Sequence, residues 1–160
     1  MAGFTLKKNQ LDPINTPLLR TWYHSRCANY SPTAATVEKF TITGGAILVH
    51  LMYGTIVTTL ETAASNVSVV INPTTGTSGT VASTADGTAL VAGDHIMVEG
   101  DGTAIIVAAG AAHWVASGVQ GMWIADIGGI DVVHAAAQPG TLRWDLFWEP
   151  LDENSSVVGV

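Results

Sequence analysis

Nine residues near the C-terminus constrain the fold more than any others. In Thr141–Glu149, Leu142, Trp144, Leu146 and Trp148 alternate with Thr141, Arg143, Asp145, Phe147 and Glu149. A period of two over this length is that of an extended strand with one buried face. A helix would scatter the four large apolar side chains around its circumference. Pro150 follows and ends the strand, because it has no N–H to continue a ladder. A strand that must bury two tryptophans on one face needs a second apolar layer to pack against. The chain is therefore committed to a layered β architecture.

The stretches before it agree. Val37–Thr43 alternates, and Gly44-Gly45 marks a turn. Ala46–Tyr53 and Thr55–Leu60 are apolar runs split by Gly54, which fits two strands or one strongly bent strand. Asn66–Asn72 is the next strand, stopped by Pro73. Thr74–Thr88, rich in Thr, Ser and Gly, reads as a long surface loop. His95–Glu99 and Thr103–Val107 flank Gly100-Asp101-Gly102 as a hairpin. Gly121–Ile127 and Ile130–Ala135 form another pair across Gly128-Gly129. No helical pattern of useful length follows residue 36, so a parallel sheet with crossover helices is ruled out. The expected fold is all-β: an antiparallel β-sandwich or jelly roll of about 8–10 short strands.

The two ends read differently from the body at 37–152. Residues 1–36 carry Asp12-Pro13, Thr16-Pro17 and Ser31-Pro32, which break any long helix or central strand. They predict an extended N-terminal arm with one short helical turn near Pro17–His24. Such an arm needs something to tie it down. Lys7, Lys8, Arg20, Trp22, Tyr23, Arg26 and Tyr30 are its candidate partner-binding residues. The segment 153–160 reads as a loose tail. Lys7 and Lys8 lead into Asn-Gln-Leu-Asp-Pro, not into the apolar core of a signal peptide.

Charge points to assembly. Of the 160 residues only 12% are charged, against about 25% in an ordinary soluble domain. A lone soluble monomer needs a well-charged surface to stay dispersed, so the sequence predicts an oligomer or a larger particle. Residues 1–39 hold five cations against two acids, while residues 40–160 hold Arg143 against eleven acids. A body of that sign repels phosphate, so no nucleic-acid partner is expected. Phe40–Leu60 and Thr103–Ala125 are uncharged and long enough to span a bilayer. Gly and His interrupt both, with Thr in the first and Ser and Gln in the second, and neither carries a flanking basic cluster, so no membrane partner is expected. Cys27, the single cysteine, cannot pair within the chain and reads as a small buried hydrophobe.

Catalytic patterns are lacking. His24, His50, His95, His113 and His134 include no pair at i, i+2 or i, i+4, so there is no local metal motif. Asp94, Glu99, Asp101 and Asp126 are possible oxygen ligands for calcium, but residues 94–101 lack the alternating acids of an EF-hand loop. There is no G-x-S-x-G, and Gly76–Gly79 lacks the lysine of a phosphate loop. The expectation is a non-enzyme with no catalytic residue, no metal and no cofactor. A small jelly-roll enzyme with a His-bound metal is the third-ranked reading. Of the five tryptophans, Trp144 and Trp148 belong to the core. Trp22, Trp114 and Trp123 are less constrained, with the core the favoured place for each.

Two stretches carry a resemblance: GGAILVHLMYGTIVTTLETAASNVSVVINPTTGT at Gly44–Thr77 and GTLRWDLFWEPLD at Gly140–Asp152. In the first an apolar strand pair leads into an N-P-T loop. In the second a W-x-L-F/W-x-P-L-D-like strand closes the domain. Together they resemble small β-rich virion proteins of tailed bacteriophages, the capsid decoration (cement) and minor structural proteins, over about residues 40–152 in spacing. The resemblance implies a homo-oligomer, commonly a trimer, seated on the major capsid protein at the virion exterior after synthesis in the bacterial cytoplasm. It supplies no catalytic residues, and residues 1–36 match no part of it. The expected function is capsid decoration and stabilisation. A tail- or fibre-associated protein that binds a host glycan through exposed Trp is the alternative.

Overall fold

The computed structural model describes residues 22–60, 66–87, 89–98, 106–108 and 122–160. Among them are the strands β1 (Tyr23–Arg26), β2 (Thr36–Thr43), β3 (Ile47–Thr58), β4 (Asn66–Pro73), β5 (Gly79–Asp86) and β6 (His95–Val98). These are followed by β7 (Ile106–Ala108), β8 (Trp123–Ala125), β9 (Gly128–His134), β10 (Thr141–Pro150) and β11 (Ser156–Gly159). They form two antiparallel sheets packed face to face, a β-sandwich. The first sheet has the order β1-β10-β3-β6-β7, with β8 also paired to β3; the second has the order β11-β2-β9-β4-β5. The pairs β1–β10, β2–β9, β3–β6 and β4–β5 are nested.

The alternation in β10 does what its pattern requires. Leu142, Trp144, Leu146 and Trp148 are buried between the sheets with Ile47, Val49, Met52 and Ile56 of β3. Phe40, Ile42, Val67, Val69, Ile130 and Val132 meet them from the second sheet. Gly54 sits opposite Trp144 in the β3–β10 register. A Cβ there would stand 3.1 Å from Leu142 Cδ1 and 3.2 Å from the indole ring. Gly54 thus seats a side chain and does not end a strand, so β3 runs unbroken through it.

Other expectations change. Part of the expected loop Thr74–Thr88 is β5, an edge strand on β4 that buries Val81 and Ala82. The β-branched threonines that suggested a loop also suit an edge. The runs on either side of Gly128-Gly129 are not a hairpin. β8 joins β3 in the first sheet, and β9 joins β2 and β4 in the second. Gly128, at φ +146°, makes the crossing, where a Cβ would fall 2.4 Å from the Asn72 carbonyl oxygen. β6 and β7 pair antiparallel, His95 lying opposite Ala108, while the expected Gly100-Asp101-Gly102 turn lies outside the described residues.

Residues 22–36 belong to the body, not to an arm. Cys27 is buried, the backbone of Tyr30 bridges to Leu142, and His24 lies in a strand, not in a helical turn. Tyr23 stacks on Trp148, whose indole N–H donates to Ser25 Oγ at 3.1 Å. These contacts give the segment the ties that its prolines concealed. Residues 1–21 lie outside the described set. At the other end, the expected loose tail contains β11, paired to β2. Ser25 Oγ donates to the Val157 carbonyl at 3.1 Å, so β1 and β11 adjoin and close one side of the sandwich.

That closure is testable at Gly159, where a Cβ would lie 2.0 Å from the Arg26 carbonyl oxygen. Gly159→Ala is expected to lower stability by about 1–3 kcal/mol in urea unfolding, the usual cost of overpacking. An unchanged midpoint would mean that the corner is not closed.

Candidate interaction face on the first sheet

Side chains that point away from the core on β1, β10, β3 and β6 form a patterned surface. Residues directly or diagonally opposite in antiparallel strands lie within reach of aromatic rings. The result is a diagonal ladder of rings across four strands. His24 stacks on Phe147 at 4.8 Å between centroids, Phe147 on Tyr53 at 6.3 Å, and Tyr53 tilts against His95 at 5.8 Å. A second row begins at Trp22, stacked on His50 at 4.5 Å. His50 is the residue that the β3–β10 register skips, Phe147 facing Leu51 and Trp148 facing Val49. This bulge turns the imidazole outward, where its Nε2 lies 3.0 Å from Glu149 Oε2.

Beside the ladder Asp145 gathers charge. Its side chain is 0% exposed, and Oδ1 lies 2.7 Å from His24 Nε2 and 2.6 Å from Arg26 Nε. Arg143 Nε approaches Oδ2 at 3.4 Å. Burial alone would raise the carboxyl pKa. Hydrogen bonds from Arg26 and His24, with the charges of Arg26 and Arg143, outweigh it and hold Asp145 below its ordinary value. The same hydrogen bond, followed by the carboxylate charge, raises Arg26. The cluster is thus a carboxylate ringed by donors, and it fixes β1 to β10 at the sheet edge.

One end of this face is apolar and open. Trp22 is 56% exposed, Met122 56% and Ile124 59%. Ile124 pairs with Leu48, which pairs with Glu149, next to the residue facing Tyr23. The three therefore border the same end of the sheet. Exposed apolar residues rimmed by polar ones mark contact surfaces.

Of the residues singled out from sequence, Trp22 and Arg26 come together here. Tyr23 points to the other side of β1, exposed at the edge and stacked on Trp148 at 4.9 Å. Tyr30 turns inward. Lys7, Lys8 and Arg20 lie outside the described residues. Trp123 is buried, whereas Trp22 departs from the core placement favoured for it, and Trp114 lies outside the described residues. Sequence reasoning missed His24, His50, Tyr53, His95, Arg143, Asp145 and Phe147. The available signal was the outward half of β10, where Arg143, Asp145 and Phe147 alternate with core residues.

A second polar cluster lies inside. Tyr30 Oη accepts from Trp144 Nε1 at 2.9 Å and donates to His134 Nε2 at 2.8 Å. Lys39 Nζ sits 3.3 Å above the Tyr30 ring. The Trp144 backbone N–H points to Cys27 Sγ at 3.1 Å. Burial pushes the Tyr30 hydroxyl and the Cys27 thiol up and the Lys39 ammonium down. Burial, helped by the Lys39 charge, pushes His134 down to about 4. A thiol raised in this way is a poor nucleophile, so the cluster packs the sandwich end.

Of the four acids considered for calcium, Asp94 and Asp126 are described and stand in separate surroundings. Asp94 is buried and accepts from the Val91 N–H at 2.8 Å. Asp126 is exposed beside Asp152 in an open hollow of about 370 Å³. Glu99 and Asp101 lie outside the described residues. No group of three or more His, Cys, Asp or Glu that could hold a metal occurs among the described residues. Nor does any helix there have the length and apolarity to cross a membrane.

Two pH windows follow. Asp145 contributes stability above its unfolded pKa of about 4, and that contribution is lost as pH falls through the lower folded value. Asp145→Asn is expected to cost about 2 kcal/mol at neutral pH, less than a fully buried pair because Arg26 and His24 remain partly exposed. The variant should also respond less to acid below pH 4, as read by urea unfolding. His134 acts higher up. Its folded value of about 4 lies below its ordinary 6.5, so the unfolded chain takes the proton first as pH falls. Stability should decline between those values by up to about 1.4 kcal/mol per pH unit. His134→Gln should flatten that slope.

No family model, no curated protein and no solved structure matches this chain.

Proposed function

We propose that this chain is a structural virion protein that decorates and stabilises a tailed-phage capsid, oligomerising and bridging subunits of the major capsid protein. The observation that carries the reading is the outer face of the first sheet. Its ring ladder, its Asp145 ion cluster and exposed Trp22, Met122 and Ile124 suit burial against a protein partner. A chain with 12% charged residues gains solubility when such a face is covered. The nested strand order supports the reading too: we take it as the winding of a jelly roll, an architecture that viral capsid domains use. The stretches that carry the phage resemblance include β3 and β10, the central ladder behind this face. The mechanism is mechanical and calls for no catalytic residue or cofactor. A copy that binds only the assembled lattice stabilises it by mass action, and oligomers multiply weak contacts into a firm grip.

Lectin domains also use the jelly roll, which leaves a glycan-binding tail or fibre protein as the second reading. Exposed Trp22 favours it. The stacking of the other rings counts against it, since rings paired face to face have few faces left for a sugar.

Light scattering at micromolar concentration should give an oligomer, a trimer by the resemblance. The oligomer should bind assembled shells in preference to free capsid protein. Trp22→Ala and Ile124→Glu should each weaken shell binding about tenfold or more, as hot-spot residues do. A monomer that ignores shells removes the proposal, and binding on a glycan array with no shell binding selects the second reading.

A further inference from the structure

On the outer face of the second sheet, two acidic side chains close over Gly129 of β9. Glu38 of β2 lies directly opposite Asp131 of β9, and Thr41 directly opposite Gly129. Asn72 of β4 flanks Gly129 from the other side. A Cβ on Gly129 would stand 2.8 Å from Asp131 Oδ1 and 3.2 Å from Glu38 Cγ and Cδ. The missing side chain is what gives both carboxyl groups room. Both carboxyl groups and the Thr41 hydroxyl lie on this face, while Asn72 hydrogen-bonds to the Asp131 carboxylate and its amide oxygen accepts from Ser78 Oγ at 3.1 Å. Thr41 Oγ1 donates to Glu38 Oε1.

Two observations call for a cation there. Like charges directly opposite across strands repel each other. Asp131 is only 6% exposed, and its Oδ1, turned over Gly129, has no hydrogen-bond partner. A buried carboxylate oxygen with nothing to accept from costs free energy that a ligand would recover. We propose that Asp131, Glu38 and the oxygens around Gly129 bind a calcium ion, with water completing the shell. An all-oxygen, partly open site of low rigidity suits calcium better than the smaller, strictly octahedral magnesium. The site is independent of the first sheet and of the capsid reading.

Thermal unfolding of the full chain in millimolar calcium chloride, against sodium chloride of equal ionic strength, tests it. The midpoint is expected to rise by roughly 5 °C with calcium and by less with magnesium. Asp131→Asn should abolish the rise and be no less stable than the parent without calcium, since the repulsion is gone. Glu38→Gln, at an exposed side chain, should also abolish it and keeps the test intact should the first variant fail to fold. No rise in the parent, or an equal rise in both variants, overturns the proposal.

Discussion

The seating of Trp144 over Gly54 is the contact on which the rest of the sandwich depends. It locks β10 to β3 along ten paired positions, and β1, β6 and β8 each pair with one of these two, while β7 follows on β6. β1 hangs on β10; β6 and β8 hang on β3. The same indole donates to Tyr30, so the segment entering the body is gripped from inside as well as from the sheet edge. A side chain at Gly54 would push the ring toward the second sheet, where close-packed Phe40 and Ile130 leave little slack.

What was legible in the chain was the part governed by period two. β2, β4, β6 and β10 stand where alternation and turn residues put them, and Cys27 is buried as a lone cysteine usually is. The failures share a cause. Gly54 and Gly128-Gly129 look like turn markers in one dimension, yet one is a packing seat and the other a crossing between layers. Prolines made residues 22–36 look like an arm, because the partner strand that holds them lies more than a hundred residues away. Edge strands such as β5 and β11 bury too few side chains to impose a pattern of their own.

The interaction face was half legible for the same reason. Trp22 and Arg26 stand out by residue type alone. The ladder from His24 to His95 joins four strands, so it exists only through register. The acid pair over Gly129 is more hidden still: its two members sit 93 positions apart and become neighbours only when β2 pairs with β9. Both surfaces place ionisable groups in a chain that has few. Those groups gather at sheet positions where they meet a partner or each other, which leaves much of the remaining exterior uncharged.

The nested winding also dictates an order of events during synthesis. The innermost pair, β4 with β5, joins neighbours in the chain and can form while translation continues. β1 must wait for β10, with Arg26 and Asp145 separated by 119 residues. Few native contacts are local, a topology that folds slowly because distant segments must meet before their contacts repay the lost freedom. Until β10 leaves the ribosome, β3 lacks the partner that pairs with it at ten positions, and only β6 and β8 can hold it.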